Sequence, residues 1–159
     1  MQRHIGIIGD GPTDYLVFKK IVVALLPNIV AVIELRRLTL QDAVDQYWKD
    51  TKKNSDHLRK AVKGILHTAL SDFRSEIVDD SLTCKDIILL TTDAEKRLAC
   101  LNNEQHYWEY HGDYFGILNC LIDAVGDFYA TQYQQGLSPE YLPMIIPIVT
   151  FPSIEPVLL

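Results

Sequence analysis

Short runs of consecutive apolar residues alternate along this chain with longer stretches in which apolar positions recur every three to four residues. The short runs fall at residues 4–8, 29–35, 87–92 and 144–150, and each is aliphatic or β-branched with little polar interruption. A strand without polar alternation must be covered on both faces, as in a parallel sheet wrapped by helices. The longer stretches predict helices over residues 13–26, 41–52, 56–77 and 114–134. In the third of these, Leu58, Val62, Ile65, Leu66, Ala69, Leu70 and Phe73 lie on one stripe, which reads as core packing. Strands and helices in this order predict an α/β fold of three layers, with a mostly parallel sheet of about four strands joined by right-handed crossovers.

Local signals punctuate the pattern. Pro27-Asn28 closes the first helix, Gly136 stands where a helix C-cap usually lies, and Ser138-Pro139 opens the loop to the last strand. Residues 39–80 form a long helical crossover, residues 94–105 a polar connection or short helix, and residues 151–159 an apolar stretch that reads as the start of a helix or a segment docked elsewhere. No repeat or low-complexity segment divides the chain, so residues 1–159 are expected to form one domain.

Composition narrows the function classes. With 159 residues, 48% hydrophobic and 23% charged, the chain can build a sizeable core. A formal net charge of −6 supplies no global positive field, so any contact with nucleic acid must be local or metal-mediated. Cys84, Cys100 and Cys120 are widely spaced, with no CxxC pair, which argues against a disulfide framework or a structural zinc and points to a reducing cytoplasm. No apolar run approaches the ~18 residues of a membrane span, and no secretion signal is evident, so neither a membrane nor export is expected.

The candidate chemistry lies just beyond the strand ends. Asp10 and Asp14 follow the first strand within Gly9-Asp10-Gly11-Pro12-Thr13-Asp14, Asp93 and Glu95 follow the third, and Glu155 follows the fourth. In an open parallel sheet the residues past the carboxyl ends of the strands gather in one crevice, where ligands bind. Crowded carboxylates repel unless a cation neutralises them or one takes up a proton, and hard oxygen ligands suit Mg²⁺ or Mn²⁺. Each piece also has a plain structural explanation: Asp10 and Asp14 suit turn and cap positions, Asp93 an N-cap, and Glu155 an exposed site. Lys96 and Arg97, just after the third strand, are candidates for phosphate contacts. His57 and His67 lie on the long helix without an acid partner at helical spacing and read as structural. The aromatic and acidic cluster around His106 and His111 suits a pocket, base stacking or a subunit contact.

An apolar strand, then acid-Gly-Pro-Thr-acid, then a strand ending in Asp-x-acid, resembles the Toprim fold of primases, topoisomerases and OLD-type nucleases. Within it the likeness is to small bacterial Toprim-like proteins associated with phage defence. Asp10 stands where that family normally has Glu, and Asp93-Ala94-Glu95 matches its Asp-x-Asp with Glu in the second place. Pro152-Ser153-Ile154-Glu155-Pro156-Val157-Leu158-Leu159 is similar to a further defence-type element, with Pro156-Val157 where an aromatic is expected. The resemblance implies a Mg²⁺-dependent nuclease or related phosphoryl-transfer protein acting on nucleic acid, with DNA favoured over RNA. It implies that Asp10 and Asp93 are catalytic, that Asp10, Asp14, Asp93, Glu95 and Glu155 form the metal shell, and that a further C-terminal helical part belongs to the fold. A homo-oligomer or a partner protein is left open.

Other readings compete. Gly6-x-x-Gly9-x-Gly11 opens a strand–helix–strand unit and Glu34 ends the second strand, as in a dinucleotide-binding fold, but Asp14 occupies the third-glycine position. A receiver-like module would use Asp10 beside a phosphorylatable Asp93, and a plain interaction module would need no metal. No Gly-Lys-Ser/Thr follows the turn, which excludes a P-loop, and Gly11 fills the nucleophile position of an esterase Gly-Asp-Ser block.

Overall fold

A computed structural model describes residues 3–9, 11–35, 40–49, 55–77, 82–93 and 114–150. The elements run β1 (Arg3–Ile8), α1 (Pro12–Leu25), β2 (Ile29–Glu34), α2 (Gln41–Lys49), α3 (Ser55–Glu76), β3 (Ile87–Asp93), α4 (Tyr114–Gln134), a 3₁₀ turn (Pro139–Tyr141) and β4 (Met144–Thr150). The strands form one sheet in the order β2-β1-β3-β4, every pair parallel. The molecule is therefore a three-layer, Rossmann-like α/β fold, as the alternation of apolar runs and helical stretches predicts. The segments 94–105 and 151–159 lie outside the described residues.

Period-two geometry divides the strand side chains between two cores. Ile5 and Ile7 of β1 and Ile87 and Leu89 of β3 meet Val17, Phe18 and Val22 of α1 on one face. Ile8, Ile88 and Leu90, one step out of phase, meet α2, α3 and α4 on the other, where Leu66, Phe73, Leu121 and Phe128 are fully buried. That is why the central strands carry apolar residues at almost every position. The stripe read on the third helix is buried here at Leu58, Val62, Leu66, Ala69, Leu70 and Phe73, with Ile65 packed at its margin.

Helix ends follow local chemistry. Leu26 leaves the helical region (φ −125°, ψ 85°), as a residue before a proline must to avoid the clash with its ring, and α1 stops there. Gly136 has φ +87°, the left-handed conformation that glycine adopts without steric cost. The Gly136 N–H donates to Tyr133 C=O and the Leu137 N–H to Gln132 C=O, the paired bonds of a Schellman cap.

At the amino end of the sheet one buried residue, Asp86, ties the starts of three strands together through its carboxylate and its backbone. Asp86 Oδ1 accepts from the His4 backbone N–H at 2.8 Å and lies 3.1 Å from His4 Nδ1, and its Oδ2 accepts from Thr83 N–H at 2.8 Å. Its own C=O accepts from Met144 N–H at 2.9 Å. Between the helices, Arg59 of α3 pairs with Asp127 of α4 at 2.9 Å. Buried Gln132 meets His67 Nδ1 at 3.1 Å, and the His67 ring stands edge-on to Phe128 at 5.0 Å. His67 thus has the structural role its position in the sequence suggests.

Candidate functional site

The chain leaves β1 towards β2 on one side of the sheet, while β3 lies on the other. Between β1 and β3 the connections run apart, and the crevice outside their carboxyl ends is the ligand position of open α/β sheets. The turn after β1 and the last residues of β3 form its two sides.

On the β1 side the turn is tight. A Cβ on Gly9 would stand 3.2 Å from Asp14 Cβ, a tight contact that the start of α1 would have to yield to by a few tenths of an ångström, and 3.7 Å from Thr91 Oγ1, in ordinary contact with the end of β3. Gly11 is the N-cap residue of α1, in ordinary extended conformation (φ −173°, ψ 177°) and with no side-chain cap bond; Pro12 follows in the first turn, where its missing N–H costs nothing. Asp14 lies in that first turn and is 5% exposed. Asp14 thus occupies the first turn rather than the N-cap position itself, with its carboxylate close to the positive end of the helix dipole.

On the β3 side, Thr91 is buried and its hydroxyl donates to Ile8 C=O at 2.6 Å, satisfying a carbonyl at the end of β1. Thr92 is buried beside it. Asp93, the last residue of β3, is half-buried and lies in register with Thr150 of β4, whose hydroxyl donates to Asp93 Oδ1 at 2.5 Å. One carboxylate oxygen of Asp93 is thereby oriented from the neighbouring strand.

The structure thus carries Asp14, in the first turn of α1 just after β1, and Asp93, at the end of the adjacent strand β3, at the same end of the sheet. Asp10, Glu95, Lys96, Arg97 and Glu155 lie outside the described residues, as do His106 and His111. Among the described residues no group of three or more His, Cys, Asp or Glu side chains is close enough to hold a metal ion. Glu34 closes β2 in register with Ile7, on the far side of β1 from Asp93. Sequence reasoning missed Thr91 and Thr150. Both are strand-end residues whose role depends on the neighbouring strand, and only the register reveals it.

No helix among the described residues is long and apolar enough to cross a membrane. Comparison of the chain with protein-family models, with curated proteins and with solved structures found no match.

Proposed function

We propose that this protein is a Mg²⁺- or Mn²⁺-dependent phosphodiesterase acting on nucleic acid, a nuclease of Toprim type that serves in phage defence. The observation that carries the reading is Asp93 at the carboxyl end of β3, oriented by Thr150 and placed across the switch-point crevice from the turn that holds Asp14. The donor set fits a hard cation: the described groups at this end of the sheet are carboxylate and hydroxyl oxygens. The sequence resemblance adds Asp10, Glu95 and Glu155 to the shell.

When bound, a divalent cation polarises a phosphoryl oxygen and makes its coordinated water acidic. The chain's own residues do the rest. Asp93 would hold the cation with a fixed oxygen, Asp14 would contribute negative charge at the helix end, Asp10 would share the cation or accept a proton from the attacking water, and Lys96 and Arg97 would contact phosphate. On a chain of net charge −6, such local basic groups are needed against the repulsion of a polyanion.

The experiment is calorimetric titration of MgCl₂ and MnCl₂ into the full chain and its Asp93→Asn variant, with a parallel cleavage assay on DNA and RNA. Saturable binding that weakens by about tenfold or more in the variant, with metal-dependent cleavage of DNA, supports the reading. Wild-type protein with neither metal binding nor cleavage overturns it.

A nucleotide-binding reading is favoured by the glycine turn leading into a helix N-terminus without a side-chain cap. Against it, the buried Asp14 carboxylate sits where the fingerprint needs a small neutral residue and where a pyrophosphate would be repelled. Metal-independent, saturable binding of an adenine nucleotide would favour it. Phosphorylation of Asp93 by a small phosphodonor would instead favour a receiver-like module.

A further inference from the structure

Thr91, Asp93 and Thr150 lie on one face of the sheet. Side chains alternate along β3, and Ile87 and Leu89 pack against α1, so Thr91 and Asp93, in the same phase, belong to the α1 side. Thr150 stands in register with Asp93 and shares its phase with Ile146 and Ile148 of β4, which pack at the margin of the same core. Asp14 lies in the first turn of α1 itself. The carboxyl end of the sheet thus carries both described acids, Asp14 and Asp93, on the α1 side.

The two threonine hydroxyls do different things there. Thr91 donates to the backbone C=O of Ile8 at 2.6 Å and so satisfies the end of β1. Thr150 donates instead to a carboxylate oxygen, Asp93 Oδ1, at 2.5 Å, the short end of the range for a hydroxyl on a carboxylate. A carboxylate at a strand end has two side-chain torsions, and both must be settled before a cation of strict geometry can use it. Thr150 supplies that constraint stiffly. Its β-branched side chain is restricted at χ1, and β3 and β4 keep one register, without a shift, from Ile87 and Met144 to Asp93 and Thr150. A hydroxyl is also a neutral donor, so it aims the carboxylate without cancelling the charge that a cation needs, as a lysine or arginine in its place would.

This bears on which cation is held. Mg²⁺ demands near-octahedral oxygens at about 2.0–2.1 Å, whereas Ca²⁺ accepts flexible arrangements at roughly 2.3–2.6 Å. A preset ligand oxygen serves the first far more than the second. Resting on the cation site proposed at Asp93, we infer that Thr150 is a positioning residue whose hydroxyl holds Asp93 for a small octahedral cation, and so selects Mg²⁺ or Mn²⁺ against Ca²⁺.

Calorimetric titration of MgCl₂, MnCl₂ and CaCl₂ into the full chain and its Thr150→Val, Thr150→Ser and Val149→Ala variants tests this, with circular dichroism checking the fold of each. Valine keeps the branched shape of threonine and suits a strand, so Thr150→Val removes the donor and little else. It is expected to weaken Mg²⁺ and Mn²⁺ binding by about 10- to 100-fold and Ca²⁺ binding by about threefold or less. Thr150→Ser retains the hydroxyl and stays within about threefold of wild type for all three cations. Val149→Ala truncates a buried side chain of the neighbouring residue, which lowers the melting temperature and leaves the ratio of Mg²⁺ to Ca²⁺ affinity unchanged. Four results overturn the inference while the cation site stands: Thr150→Val binding Mg²⁺ like wild type, Thr150→Val losing all three cations equally, Thr150→Ser failing to retain binding, or Val149→Ala shifting the ratio as far as Thr150→Val. A wild type that binds none of the three cations overturns the site and the inference together.

Discussion

Tyr129 shows how one side chain fixes the start of a strand. Its hydroxyl donates to Pro143 C=O at 2.6 Å and accepts from Ile145 N–H at 2.9 Å, so α4 satisfies two backbone groups where β4 begins. Replacing it with Phe leaves both without that partner and should cost about 1–3 kcal/mol in denaturant unfolding. Burial also raises its pKa above the ordinary phenol value, against a smaller lowering by the Ile145 bond. A folded state that keeps its phenol proton longer than the unfolded chain has its full stability below the unfolded pKa near 10 and loses it as pH rises through the folded value. The wild type should therefore lose stability above about pH 10 more steeply than Tyr129→Phe. Two glycines of the opening turn make a second contrast. Gly9→Ala sets a Cβ 3.2 Å from the Cβ of Asp14, which is fixed to the backbone, and should cost about 1–3 kcal/mol, whereas Gly11→Ser enters open space, gains a cap hydroxyl, and should change stability by less than about 0.5 kcal/mol. Paired thermal melts of the two variants decide between them. The sequence marks both positions alike; the difference lies in what each faces.

The elements were the most legible part of the chain, because each is announced by short-range chemistry. The expected 144–150 and 114–134 segments coincide with β4 and α4, and the remaining bounds shift by one residue at most, except that the expected end of α2 at residue 52 lies outside the described residues. Pro27 and Gly136 supply stops that need no tertiary partner. Asp86 is the opposite case. In the sequence it is one polar residue before an apolar run; in the fold it holds the starts of β1 and β3 together, and its backbone C=O binds the start of β4. Asp86→Ala should destabilise the protein by about 2–4 kcal/mol, since the His4 and Thr83 N–H groups lose their acceptor. Chemical denaturation measures this, and a loss within error of zero would show that water replaces the carboxylate there.

Across the whole molecule, strand order governs both stability and the site. β1 and β3 are paired on both edges and covered on both faces, while β2 and β4 are the outer strands, and β4 tolerates Pro147 for that reason. Amide exchange should therefore be slowest at residues 5–8 and 87–90 and faster throughout β2, which hydrogen-exchange mass spectrometry can read. The same order brings the turn after β1 against the end of β3 although more than 70 residues separate them, and it orients Asp93 through Thr150. The sequence by itself determined the layers, the parallel character of the sheet and the place of Asp93 at the end of β3, because periodicity and turn chemistry act over a few residues. Only the tertiary structure decided which strands are neighbours and that Gly9, Asp14 and Thr91 converge. Those depend on register and packing between residues far apart in the chain, which no local pattern encodes.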